Sequence, residues 1–282
     1  MNGFLKISLC LLGTVLVAGT CVVEPNTTVH RTDSGQNFGI ESTSEIIVTS
    51  EQGGALAVKA NVTFHNGTAD GLVINVDPAK TRQTITGIGS SFTESSAFVL
   101  AHLDVDKRRE VMANIYGEGG ANFSIARTVI GSTDFSVEGK YSHAPVADDV
   151  ALEHFNIDPD SDGFTKTDYP GIRDESFDLL PMIHEALAIK SAQNDSDLRI
   201  VASAWTAPPW MKDIEDFYQR GPPGAEWDGT GGVLKEEHVS TYADYLVRYL
   251  DAYAAAGVDI WGLTPVNEPQ GNGGNWESMH FT

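Results

Sequence analysis

Apolar and polar positions change rhythm three times along the chain. Residues 1–21, MNGFLKISLCLLGTVLVAGTC, carry one positive charge at Lys6, an apolar run over 7–18 and small residues at Ala18, Gly19 and Thr20. A stretch of this form is a secretory leader, too short and too lightly flanked for a membrane span. Residues 22–44 are rich in Thr, Ser, Asn and Gly without periodicity and read as a linker. From 45 to 82 the texture is β-like, with EIIVTS, ALAVKANVTF and GLVINV broken by Gly53-Gly54 and Asn66-Gly67. This predicts a small β-rich side element.

After Asp77-Pro78 the pattern turns to short apolar runs alternating with helical stretches. The runs are QTITGIGSSF at 83–92, NFSIARTVI at 122–130, LRIVASAW at 198–205 and DIWGLTPV at 259–266. Helices are predicted over Ser95–Tyr116, split near Asp104, over Phe177–Ala192 and over Glu236–Ala256, with Gly257 as a stop. Strand then helix, repeated, gives parallel strands with crossover helices, as in a (β/α) barrel or a doubly wound sheet. A nucleotide-binding version of the latter needs a third glycine in its first turn and an acidic residue on the second strand. GIGSSFTESS supplies neither.

Charge and cysteine content narrow the partners. With 18 Lys+Arg against 39 Asp+Glu the net charge is −21, and no basic cluster offsets it. That excludes nucleic acid and anionic lipid heads and leaves neutral or cationic partners, or simple solubility. The only cysteines are Cys10 and Cys21. Disulfides, thiolate metal sites and a cysteine nucleophile are thereby excluded from the body of the protein. Cys21 leaves two outcomes open: a lipid anchor, against which Thr20 stands where such leaders carry Gly or Ala, or simple cleavage nearby.

In a barrel the chemistry gathers at the C-terminal ends of the strands. The second run carries Arg127 and leads to Asp134. The third ends at Trp205, followed by a Pro-rich loop with Trp210, and the fourth leads into Asn267-Glu268-Pro269. A partly buried carboxylate at such an end suits general acid/base work, so Glu268 is the first candidate. Its bland alternative is a loop cap or an ion-paired acid. Trp205 and Trp210 offer flat apolar faces for the C–H side of a sugar, or else they belong to the core. Asp134 is a candidate acceptor for ligand hydroxyls or a solvated loop acid, and Arg127 a candidate for orienting a carboxylate. Asp158-Pro159-Asp160-Ser161-Asp162-Gly163 starts like a calcium loop, but Tyr169 stands where the bidentate Glu belongs. The histidines show no ligand spacing. No metal or cofactor is implied.

Taken in order, GIGSSFTESSA, SIARTVIGSTDFS, SAWTAPPWMK and TPVNEP resemble glycoside hydrolase family 30, especially its glucosylceramidase branch, over residues 78–282. The resemblance implies a (β/α)8 TIM barrel with a β-rich side domain, and retaining hydrolysis of β-linked glycosides. It further implies Glu268 as general acid/base, Asn267 as the amide on the sugar 2-hydroxyl, Asp134 as the residue holding hydroxyls at the far edge, Trp205 in the glycone pocket and Arg127 at the barrel top. Ile88 and Ser90-Ser91 depart from the family's aromatic and Gly-Ala.

Retaining glycosidases need a second carboxylate about 5–5.5 Å from the acid/base. In this family it comes from the seventh strand, and no residue here matches it. Glu277, on the loop after the same strand as Glu268, is not assigned to it. The expectation is therefore about four β/α units of the barrel over 83–282, preceded by the side-domain segment at 45–82, from an exported enzyme. Its substrate would be a neutral β-glucoside such as glucosylceramide. Another specificity of the family, β-1,6-glucanase, β-xylosidase or xylanase, and a non-catalytic glycan-binding or inactive fragment are the alternatives.

Overall fold

The computed structural model describes residues 43–281 apart from 52–53, 64–70, 73, 75–76, 78, 194–197 and 272. The leader, Cys21 and nearly all of the 22–44 linker lie outside the described residues. The chain divides into two compact units, Met1–Gln83 and Thr84–Thr282.

In the first unit, β1 (Thr43–Ser50) and β2 (Gly54–Thr63) form an antiparallel hairpin with register shifts near both ends. The strand therefore begins two residues inside the predicted linker. In GLVINV the described residues Gly71, Leu72 and Ile74 are not in a strand, and the rest of that run lies outside the described residues.

The second unit runs β3 (Gly89–Ser91), α1 (Glu94–Ala101), α2 (Val105–Tyr116), β4 (Ile125–Ile130), α3 (Leu179–Ser191), β5 (Arg199–Ala204), α4 (Val239–Ala255), β6 (Ile260–Thr264). The four strands pair in parallel in chain order, β3-β4-β5-β6. A doubly wound sheet reverses strand order at a switch point. Unreversed order with helical crossovers is the winding of a barrel.

Period-two alternation sorts β4 and β5 into two faces. Ala126, Thr128, Ile130, Ile200, Ala202 and Ala204 are buried, and the apolar ones join the helix residues in one core. The opposite face carries Arg127, Val129, Val201 and Ser203, in register across the sheet. The first predicted strand shrinks from ten residues to three, with 81–88 irregular and mostly exposed. Gly89 lies so close to the Ile125 carbonyl that a Cβ there would collide with it. A run with Gly87 and Gly89 at its contact points has little side chain to bury.

The helices follow their caps. Thr93 accepts from Ser96 N at 3.1 Å to start α1, and Asp178 accepts from Leu179 N at 2.7 Å to start α3, two residues later than predicted. In α2, Arg108, Met112 and Tyr116 fall four apart and are buried. Arg108 donates to Asp174 at 2.7 Å and Glu185 at 3.1 Å, which lets its charge sit inside. In α4, Tyr242, Tyr245, Tyr249 and Tyr253 line the inward stripe. Its end is a Schellman motif: Val258 N donates to Tyr253 O at 2.8 Å and Gly257 N to Ala254 O at 3.0 Å, with Gly257 at φ +83°.

The calcium-like loop is absorbed by this core. Asp160 is fully buried and accepts from Tyr253 Oη at 2.6 Å and Tyr141 Oη at 3.2 Å. Burial pushes its carboxyl up to about 7, as it does Glu94, and pushes Asp178 up to about 6. Such groups keep protons in the folded state that the unfolded chain releases near pH 4. Their stabilisation is fully present below that pH and is lost as pH rises to about 7. His143 works in the opposite sense, since burial holds it down to about 4. Below pH 7, where Lys212, held down to about 7 by burial, keeps its charge, three acids stand against one histidine, and the unfolding midpoint should fall between pH 5 and 6.5. Asp160→Asn should flatten that slope in denaturant melts. A midpoint that rises across the window would contradict this reading.

Candidate active site

The site is built on Arg127, which leaves β4 on the less covered face of the sheet. Its Nη2 donates to Ser203 Oγ on β5 at 2.8 Å and to Asn267 Oδ1 at 2.7 Å. Ser203 Oγ is hydrogen-bonded in turn to Thr264 Oγ1 at the end of β6. The guanidinium lies over the Trp205 ring, 4.4 Å from its centroid, within cation–π range. One side chain thus ties the middle of β4 to the ends of β5 and β6.

Burial lowers the Arg127 pKa, and the carboxylates of Asp134 and Glu268 oppose it. Both acids therefore stand close enough to act on the same guanidinium. Asn267 N donates to Ala204 O at 2.6 Å, carrying the β5–β6 ladder one step past the strand. Because Arg127 donates to Oδ1, the Asn267 amide is oriented with its NH2 turned elsewhere.

Glu268 follows in the left-handed region, at φ +48°. Non-glycine residues held there carry strain of order 1–3 kcal/mol, and such strain gathers at functional sites. Gly271 N closes the turn by donating to Glu268 O at 2.6 Å. A Cβ at Gly271 would stand 3.0 Å from the Glu268 Cβ, so this turn has room for glycine. The partial burial expected for Glu268 is corrected: the side chain is exposed, as are Pro269 and Gln270 beside it. The turn carries all three outward from the sheet.

Asp134 is exposed on the loop after β4. Trp205 is buried, and Arg127 occupies one of its faces. Trp210, the other predicted platform, is not at the site. Its Nε1 donates to Ala144 O at 2.9 Å and its ring packs edge-on against His238. Tryptophan N–H groups find a partner when buried, so this ring serves the core.

Two features escaped the sequence. Ser203 and Thr264 read as ordinary strand residues, although they continue the Arg127 network. Glu277, left without a role, is buried, and burial pushes its carboxyl up, with Asp134 adding to the shift. A cleft of about 570 Å³ opens beside the network, lined by Ser91, Thr93, Arg127, Val129, Phe135 and Trp205 among others. Ligand pockets run from about 300 to 1,000 Å³. Among the described residues no three His, Asp, Glu or Cys gather closely enough to hold a metal. No described helix is long and apolar enough to cross a membrane.

Residues 85–282 match the glycosyl hydrolase family 30 TIM-barrel domain. The chain belongs to glycosyl hydrolase family 30. Within reach of this family-30 domain, the lysosomal acid glucosylceramidase of Mus musculus is 28% identical over 204 residues, covering 72% of this chain and 35% of that protein. The endo-1,6-beta-D-glucanase of Neurospora crassa is 27% identical over 212 residues, 74% of this chain and 38% of that one. Among solved structures, the endo-beta1,6-glucanase BT3312 superposes with a TM-score of 0.55 at 26% identity, over 81% of this chain and 43% of its own. The chain thus spans well under half the length of these family-30 relatives. The strands β3–β6 are four of the eight that such a barrel closes with.

Proposed function

We propose that the protein acts as a retaining β-glycosidase on a neutral β-linked glucoside, with Glu268 as general acid/base. The observation that carries this is the Arg127 network. It gathers Asn267, Trp205 and the fields of Asp134 and Glu268 at the C-terminal ends of three parallel strands. Family membership supplies the reaction class.

In the first step Glu268 gives its proton to the glycosidic oxygen as the bond from that oxygen to the anomeric carbon breaks. A carboxylate nucleophile, assigned to none of these 282 residues, bonds to the same carbon. In the second step water attacks, Glu268 takes its proton, and the sugar leaves with its configuration retained. The Asn267 NH2 donates to the 2-hydroxyl, Asp134 accepts from hydroxyls at the far edge of the ring, and Trp205 walls the pocket.

The glucosylceramidase reading rests on the likeness to the mouse enzyme, and it brings glucosylceramide or a related glycoside as substrate. The second reading, a β-1,6-glucanase, is favoured by relatives of that name at nearly the same identity. A panel of substrates presented to the full-length protein separates them. Hydrolysis of glucosylceramide in detergent, with β-1,6-glucan left intact, is the expected result, and the reverse preference would establish the glucanase. Xylosides in the same panel test the family's remaining specificity. The leader pattern at 1–21 supports export.

A further inference from the structure

We propose that Glu94 and Ser95 are positioning residues that hold the Asp134 loop in place for sugar binding. This rests on the glycosidase reading, because it assumes that Asp134 meets the sugar.

Glu94 opens α1 directly after β3 and is 3% exposed. Its own helix does not need it as a cap, since Thr93 already fills that role. Instead its two oxygens accept from the neighbouring loop, Oε2 from Val137 N at 2.8 Å and Oε1 from Glu138 N at 3.1 Å. Ser95 binds the same loop at a third point, its Oγ donating to Phe135 O at 2.5 Å and its N–H to the same oxygen at 3.1 Å.

Inside the loop, Thr133 N donates to Ser136 Oγ and Phe135 N to Thr133 Oγ1, each at 2.9 Å. The backbone around Asp134 is thus fixed from within and from the β3–α1 corner, while the Asp134 carboxylate stays exposed. Burying a carboxyl is costly unless its oxygens are satisfied. Here the partners that satisfy Glu94 come from this loop.

The groups facing Glu94 are the Ser136 hydroxyl on the loop and the Asp178 carboxylate at the start of α3. The phenols of Tyr141 and Tyr169 also feel its charge. Burial lifts the Glu94 carboxyl to about 7 against the pull of the two loop N–H groups. It therefore accepts as a full carboxylate at pH 8 and carries a proton at pH 5.

The test measures KM and kcat for an aryl β-glucoside in the full-length protein, with Glu94→Gln, Ser95→Ala, Asp134→Asn and the two double variants. Each of Glu94→Gln and Ser95→Ala should raise KM by about 2- to 10-fold, the size of one neutral hydrogen bond, with kcat little changed. Each should be nearly silent once Asp134 is Asn, and the Glu94→Gln effect should be larger at pH 8 than at pH 5. Equal effects with and without Asp134, at both pH values, would reduce the corner to general structural support and overturn the inference. Ser95→Ala, which removes a single hydroxyl, carries the test if Glu94→Gln fails to fold. Wild-type hydrolysis combined with silent single variants would overturn this inference and leave the glycosidase reading standing. A wild type without glycosidase activity would overturn both.

Discussion

Glu268→Gln in the full-length protein should lower kcat/KM for an alkyl β-glucoside by about 10²–10⁴-fold, the usual contribution of a positioned general acid. The loss should depend on the leaving group. A 2,4-dinitrophenyl glucoside departs without a proton, so its first step should be nearly intact and the second, which needs Glu268 as base, should become limiting. A burst of dinitrophenol followed by slow turnover is the expected trace. A uniform loss across leaving groups would mean that Glu268 only supports the turn. Gln keeps the shape of the side chain, and Glu268 is exposed at φ +48°. The substitution therefore tests proton transfer rather than folding.

Arg127→Met should be the next most damaging change, at about 10²-fold in kcat/KM. It removes two charge-assisted bonds, to Ser203 and Asn267. Each such bond contributes about 1.5–3 kcal/mol, and part of that loss should reach the transition state through the Asn267 amide. Without the guanidinium, Oδ1 has no partner that fixes the amide, and the NH2 is free to turn from the sugar. Arg127→Lys should recover only part of the loss: both bonds leave one nitrogen, Nη2, which an ammonium could replace, but the flat guanidinium face on Trp205 is lost. Full activity of the Lys variant would show that only the charge matters.

Much of this architecture was legible because it is local. The apolar runs at 122–130 and 198–205 became β4 and β5, Asp104 marked the break between α1 and α2, and Gly257 ended α4 by supplying a left-handed residue. What escaped depends on distant neighbours. The run at 83–92 has strand composition, yet only Gly89–Ser91 finds partners on β4. Trp205 and Trp210 sit five residues apart in one Pro-rich stretch. No periodicity says that one meets Arg127 while the other donates to Ala144. Glu94 reads as an ordinary helix-start acid, and its partners at 137 and 138 lie more than forty residues on. Under the proposed reading the net charge of −21 needs no cationic partner to explain it.

The most direct test of the central claim is the product formed by full-length Glu268→Ala from 2,4-dinitrophenyl β-glucoside in the presence of azide. Azide needs no general base, so it should replace water in the second step, accelerate turnover and leave as β-glucosyl azide, identified by NMR. No acceleration by azide, or an α-glucosyl azide as the product, would contradict Glu268 as the acid/base of a retaining enzyme.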